Sequence, residues 1–138
     1  MKRILISLVV LIPCTVLRAA SPFPGDWLRF DRTSAQLGRI RDDSGVRNEV
    51  FNFENISDRA LQIQVSTSCR CLKAETSTNT VNPGGKGSVT LCYDPLRMSG
   101  DVLVRALVYP IATDGLKTSP ITLEFHAEVE ASDPWDYL

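Results

Sequence analysis

Ser68-Cys69-Arg70-Cys71 sets two thiols one residue apart, directly after an alternating apolar run of Leu61, Ile63 and Val65 and ahead of a Pro83-Gly84 turn. Cys92 adds a third thiol further along the chain. Such a set can form a disulfide, ligate a soft metal, or pack as small apolar groups. The structural reading is a disulfide from Cys92 to Cys69 or Cys71, which clamps two strands if their Cα atoms come within about 7 Å. The functional alternative is a thiol-based copper or metal-handling module, with Met98 supplying a thioether to Cu(I) beside the thiolates of Cys69, Cys71 and Cys92. A zinc site asks for four N or S ligands at set spacings, which a lone Cys-x-Cys does not meet. A thioredoxin-type motif has two residues between its cysteines, not one. No metal or other cofactor is therefore assigned.

Other constellations offer less chemistry. His126, the single histidine, lies in the series Glu124, His126, Glu128, Glu130, with i and i+2 side chains about 6.6 Å apart along a strand. That row reads as the solvated face of a sheet, whose charges also discourage edge pairing. No Gly-x-Ser-x-Gly turn accompanies His126, so Ser-His-Asp hydrolysis lacks its nucleophile. Asn82-Pro83-Gly84-Gly85-Lys86-Gly87-Ser88 lacks the Walker spacing for phosphate. Asp42 and Asp43 sit side by side in a charged turn and are expected to face water. No catalytic residue is assigned and the chain is not read as an enzyme.

The tail is a different signal. Asp133-Pro134-Trp135-Asp136-Tyr137-Leu138 places two aromatics and a Leu among acids, and Trp and Tyr are the residues that anchor interfaces. Trp135, Tyr137 and Leu138 are candidate binding residues for a partner that captures an extended peptide. The alternative is that Trp135 folds back over the end of the domain.

The elements that position these residues begin after a leader. Lys2 and Arg3, the apolar run Ile4 to Ile12, Pro13 and the pair Ala19-Ala20 make the three-part layout of a secretory signal over residues 1–20. The apolar run is well short of the ~20 residues that span a bilayer as a helix. Pro13 precedes Cys14 where a lipoprotein signal usually has Gly, Ala or Ser, so no lipid anchor is expected there. Without Lys2, Arg3 and Arg18 the Lys plus Arg count drops from 15 to 12 against 16 Asp plus Glu, a net charge of about −4. No basic patch for nucleic acid is visible. About 118 residues remain, one domain with room for a core. An exported protein with three remaining cysteines can oxidise one pair and keep one thiol.

Residues 21–26 read as a linker, 27–130 as the domain, and 131–138 as the acidic aromatic tail. A short strand is expected over Trp27 to Asp31 and a second apolar group over Leu37 to Ile40. Period-two alternation marks Phe51 and Phe53, then Leu61, Ile63 and Val65, as two strands joined in a hairpin by the Asn55–Asp58 turn. Thr76 to Thr80 reads as a polar loop. Val89, Leu91 and Tyr93 follow, then a strand through Val102 to Val108 that Pro110 ends. The closing strand is Ile121, Leu123, Phe125, Ala127 and Val129. Many short strands with turn signals between them, and no helical period beyond the leader, read as an all-β sandwich.

The order Phe51-x-Phe53-x-Asn55, Leu61-x-Ile63 leading to Ser68-Cys69-x-Cys71, Asn82-Pro83-Gly84, and Leu123-x-Phe125-x-Ala127-x-Val129 resembles an uncharacterised family of exported bacterial Ig-like domains, related to the ASH (Hydin-type) group. The resemblance covers roughly Phe30 to Val129. Where that family usually has Gly between the cysteines, this chain has Arg70, which cannot adopt a positive φ as cheaply. The resemblance implies an Ig-like β-sandwich of about seven or eight antiparallel strands in the Gram-negative envelope, with no established reaction. The expectation is a non-catalytic protein-binding or structural module, exported to the periplasm or outer membrane. Its partner would be an envelope or outer-membrane protein, engaged through an edge strand, the Arg41–Gly45 turn or the tail, and the sharpest version is an accessory subunit of an outer-membrane complex. No nucleic acid and no small-molecule substrate is expected.

Overall fold

A computed structural model describes residues 27–133. The leader and linker expected over 1–26, and Pro134 to Leu138 with the candidate anchors Trp135, Tyr137 and Leu138, lie outside the described residues.

Nine strand segments follow one another: β1 (Leu28–Phe30), β2 (Ser34–Arg41), β3 (Arg47–Asn55), β4 (Leu61–Thr67), β5 (Leu72–Thr76), β6 (Thr80–Val81), β7 (Lys86–Tyr93), β8 (Gly100–Ala112) and β9 (Ile121–Glu130). They form two sheets, ordered β1-β3-β7-β5 and β2-β9-β8-β4-β6. The expected all-β sandwich is present. Two short segments, β5 and β6, flank the polar residues after the cysteines, and β2 runs parallel to β9 while the other pairings are antiparallel.

The chain changes sheet at every connection except the last, between β8 and β9. The hairpin expected between β3 and β4 is therefore absent. The Asn55–Asp58 turn instead carries the chain from one sheet to the other. Alternation fixes which face of a strand is buried, and both strands do bury Phe51, Phe53, Leu61 and Ile63. It says nothing about which strand lies alongside.

Side chains from the two inner faces meet in one core, with Phe51, Leu61, Val89, Leu91, Tyr93, Val108, Leu123 and Phe125 fully buried. Tyr93 and Phe125 pack edge to face, ring centroids 5.1 Å apart. The Tyr93 hydroxyl finds no hydrogen-bond partner among the described residues, and burial, with Asp94 adding to it, raises its pKa. Asn55 is a polar residue with no exposed surface. Its Nδ2 donates to the carbonyls of Arg59 (2.7 Å) and Val81 (3.1 Å), and its Oδ1 accepts from the Ser57 amide and hydroxyl.

Two local devices keep the pattern in register. Ala35 and Ile40 both face the core although they are five positions apart, an odd spacing, because a bulge between Gln36 and Gly38 resets the alternation, with Gly38 at φ +69°. Gly87 lies under the ring of its partner Phe53, where a Cβ would meet Cζ at 2.6 Å. Pro110 does not end β8, which continues to Ala112 paired with Leu61. The β8–β9 ladder stops at Val108, so the side of Pro110 that lacks an N–H has no strand to bond.

Candidate functional site

The cysteine motif sits on the crossover from β4 to β5, where the chain passes between sheets. Ser68 anchors the crossover to β8: its amide donates to the Arg105 carbonyl and its hydroxyl accepts from the Arg105 amide. The Leu72 amide reaches back to the Cys69 carbonyl, and this turn brings the Cα atoms of Cys69 and Cys71 to 5.3 Å. Those two cysteines are bonded to each other, and among the described residues Cys92 is the free, part-exposed thiol. The cross-strand bond to Cys92 expected above is thus replaced by a bond within the loop. The turn forms without a left-handed residue at position 70, so Arg70 closes it in place of Gly. Closing so short a loop restrains the unfolded chain by only about 1.6 kcal/mol, less than a typical disulfide.

Cys92 lies on the outer face of its sheet, between Asn48 of β3 and Lys73 of β5, opposite to the inward Val89, Leu91 and Tyr93. Met98 packs against the core from the turn that follows. Among the described residues no three His, Cys, Asp or Glu side chains come together as a metal site. With Cys69 and Cys71 joined, no thiolate pair is available for soft-metal ligation either.

The acidic row on β9 is held by arginines from both neighbouring strands. Arg39 of β2 reaches Glu128 (3.1 Å) and Glu130 (3.6 Å), and Arg105 of β8 reaches Glu124 (3.2 Å). His126 stands half-exposed among them, 3.8 Å from Glu124. Each acid of the row is ion-paired within its sheet, with two arginines shared among three carboxylates.

The side of the sandwich formed by β2 and β3 is open. β1 pairs only with Phe53 to Asn55, so the first half of β3 has no strand beyond it, and β2 is the edge of the other sheet. Side chains stand where a strand would go. Asp31 accepts from the Asn52 amide at 3.1 Å and from its side chain at 3.1 Å. Arg32 donates to the Val50 carbonyl (2.8 Å) and to Glu49 (2.9 Å), and its guanidinium covers the buried Phe51 ring, 4.8 Å from the centroid. The Asn52 side chain first, and then the Arg32 and Asn52 amides, hold the Asp31 carboxyl below its ordinary pKa. Beyond Arg32 a cleft remains, lined by Gln36, Leu37, Arg39 and Ile40 on β2, by Val46 just ahead of β3 and by Arg47 to Glu49 on β3. Val46 is 57% exposed on its rim, and Val50 of β3 is 42% exposed.

The charged turn closes this cleft at one end. Asp43 pairs with Arg41, whereas Asp42 does not face water as expected. It is 6% exposed, and its carboxylate accepts from the Ser132 amide at 2.8 Å while its own amide donates to the Glu130 backbone carbonyl. A buried acceptor is better satisfied by the backbone leaving β9 than by solvent, and the adjacent-acid pattern carries no sign of that. Sequence reasoning also passed over Asp31 and Arg32, whose role appears only once β1 is seen to be three residues long.

Solved structures share this architecture. The ASH/PapD-like domain 7 of human CEP192 matches 96% of the chain and 100% of its own length at a TM-score of 0.63, with 10% identity. The E. coli chaperone DraB matches 79% of the chain and 59% of its own length (TM-score 0.57, 11% identity). The Vibrio cholerae VesB protease matches 75% of the chain (TM-score 0.59, 16% identity), but the chain spans only about a third, 32%, of that protein. At these identities the likeness is one of fold, and the fold is that of PapD-like and ASH domains. A comparison of the sequence with curated proteins finds no match. The model of a family described as a protein of unknown function, DUF1573, covers residues 28–129, from the first strand into the last, and the chain belongs to that family.

Proposed function

We propose that this domain is a non-catalytic protein-binding module that takes an extended segment of a partner at its open β2–β3 side. The observation that carries the reading is the three-residue β1, which leaves Arg47 to Asn52 of β3 without a neighbouring strand on that side, opposite the eight-residue edge of β2. Edge strands offer unpaired N–H and C=O groups, and a segment that adds to them gains main-chain hydrogen bonds while the alternate side chains supply specificity. Leu37 and Val46 give the cleft apolar contacts. Arg47, which forms no ion pair among the described residues, gives it a charge to offer an acidic side chain.

The partner is an envelope or outer-membrane protein in this reading, and the domain an accessory subunit beside it. The basic-apolar-small layout of residues 1–20 supports export, and a disulfide suits an oxidising compartment. The test is gentle extraction of the tagged protein from its own cells and measurement of native mass and composition, beside two variants of matched exposure. Val46→Glu places a charge on the cleft rim, and Leu116→Glu places one at the other end of the sandwich, where Leu116 is 50% exposed. A fixed ratio of one other protein, kept by Leu116→Glu and lost by Val46→Glu, is expected. A lone monomer in all three preparations would overturn the reading.

A further inference from the structure

We propose that Cys92 and the Cys69–Cys71 disulfide form a thiol–disulfide exchange site at one end of the sandwich. The ladder between β5 and β7 pairs Leu72 with Tyr93 and Lys73 with Cys92. The Asp94 amide donates to the Cys71 carbonyl at 2.9 Å, so the same register runs one pair further into the cysteine loop. Cys71, the residue just ahead of β5, is therefore placed diagonally to Cys92 of β7, with its side chain, like that of Cys69, packed at the edge of the core. Residues so placed have Cα atoms about 7–8 Å apart, about an ångström past the reach of a disulfide. Cys71 ends a turn held by a long 3.3 Å bond from Leu72 to Cys69, so the movement required falls on the weakest backbone link of the crossover. Cys69 lies on the far side of that turn, off the ladder.

All three residues are part-exposed, so attack and departure both take place within reach of water. The Cys92 thiolate attacks Cys71 Sγ. The Cys71–Cys92 bond forms as the Cys69–Cys71 bond breaks, the bonding pair leaves on Cys69 Sγ, and the proton given up by Cys92 reaches Cys69 through solvent. One disulfide is exchanged for another, and neither oxidant nor reductant is consumed. The product closes a far longer loop, which restrains the unfolded chain more than the original bond does. It also staples β7 to the crossover and presents Cys69 as a free thiol. The domain would then hold two covalent states with different crossovers, the second able to attack a disulfide of a partner. This does not depend on the β2–β3 cleft.

The sequence makes the states easy to tell apart, because Arg70, Lys73, Lys86 and Arg97 put each cysteine on its own tryptic peptide. In a glutathione buffer poised to oxidise dithiols, purified Cys69→Ser protein is expected to go from two free thiols at Cys71 and Cys92 to none, with the Cys71–Lys73 and Gly87–Arg97 peptides linked. Cys71→Ser protein is expected to keep Cys69 and Cys92 unlinked in the same buffer. Free Cys71 and Cys92 in the first variant, or equal linkage in both, would overturn the proposal. Wild-type protein labelled slowly with a maleimide near pH 8 gives a check free of mutation. Label on Cys69 together with linked Cys71 and Cys92 peptides supports exchange, and label on Cys92 alone contradicts it.

Discussion

Asn55 and Val81 belong to different sheets, and the Asn55 side chain donates across the core to the Val81 carbonyl at 3.1 Å. The same side chain holds the 56–59 turn through Arg59 and Ser57, and the Asn55 backbone bonds Gly84 and Gly85. One fully buried amide thus fixes two turns and the sheet spacing at that end. Replacing Asn55 with Ala strands several buried groups at once. The expected loss is about 2–4 kcal/mol of unfolding free energy in urea, and a loss under about 0.5 kcal/mol would mean the turns hold themselves.

Gly87→Ala tests the packing under Phe53. The added methyl meets the ring at 2.6 Å, and Phe53 is only 3% exposed, so the ring must move within a filled core. A destabilisation of about 1–3 kcal/mol is expected. Adding Phe53→Leu should restore part of it in a double-mutant cycle, whereas strict additivity would show that the two positions do not touch.

The short disulfide should matter little for stability. Reduced wild-type protein, or the double variant Cys69→Ser with Cys71→Ser, is expected to lose about 1.5 kcal/mol or less. A loss of 3 kcal/mol or more, about twice the loop-entropy figure, would show that the bond clamps structure beyond its own turn.

Asp31 makes the open edge sensitive to acid. Its folded pKa lies below the unfolded value, so the stabilisation it gives is complete above the unfolded carboxylate pKa and fades as pH falls through the folded one. Unfolding measured from pH 6 downward should lose stability through the carboxylate range, and Asp31→Asn should flatten part of that slope. An unchanged slope in the variant would assign the acid sensitivity to other carboxylates.

Much of the fold was legible because one face of each long strand is apolar. Val89, Leu91 and Tyr93, or Leu123, Phe125 and Ala127, could hardly be anything else. Neighbour relations were not, since a chain that changes sheet at nearly every turn leaves the same alternation as one that folds into hairpins. β6 is two residues long and carries no period at all. The cysteine motif was legible as a landmark but not as a bond, because pairing depends on the tight turn at Arg70, which residue types do not encode. Asp42 reads as a surface acid until the backbone of Ser132 is found beside it.

In the proposed function the β2–β3 side receives the partner. The most direct measurement of this is photo-crosslinking in living cells, with a benzophenone amino acid at position 46 on the cleft rim or at position 116 on the opposite end, both exposed positions. One dominant adduct is expected from position 46, about ten-fold or more above that from position 116. Equal yields from the two positions, or an adduct from position 116 alone, would contradict it.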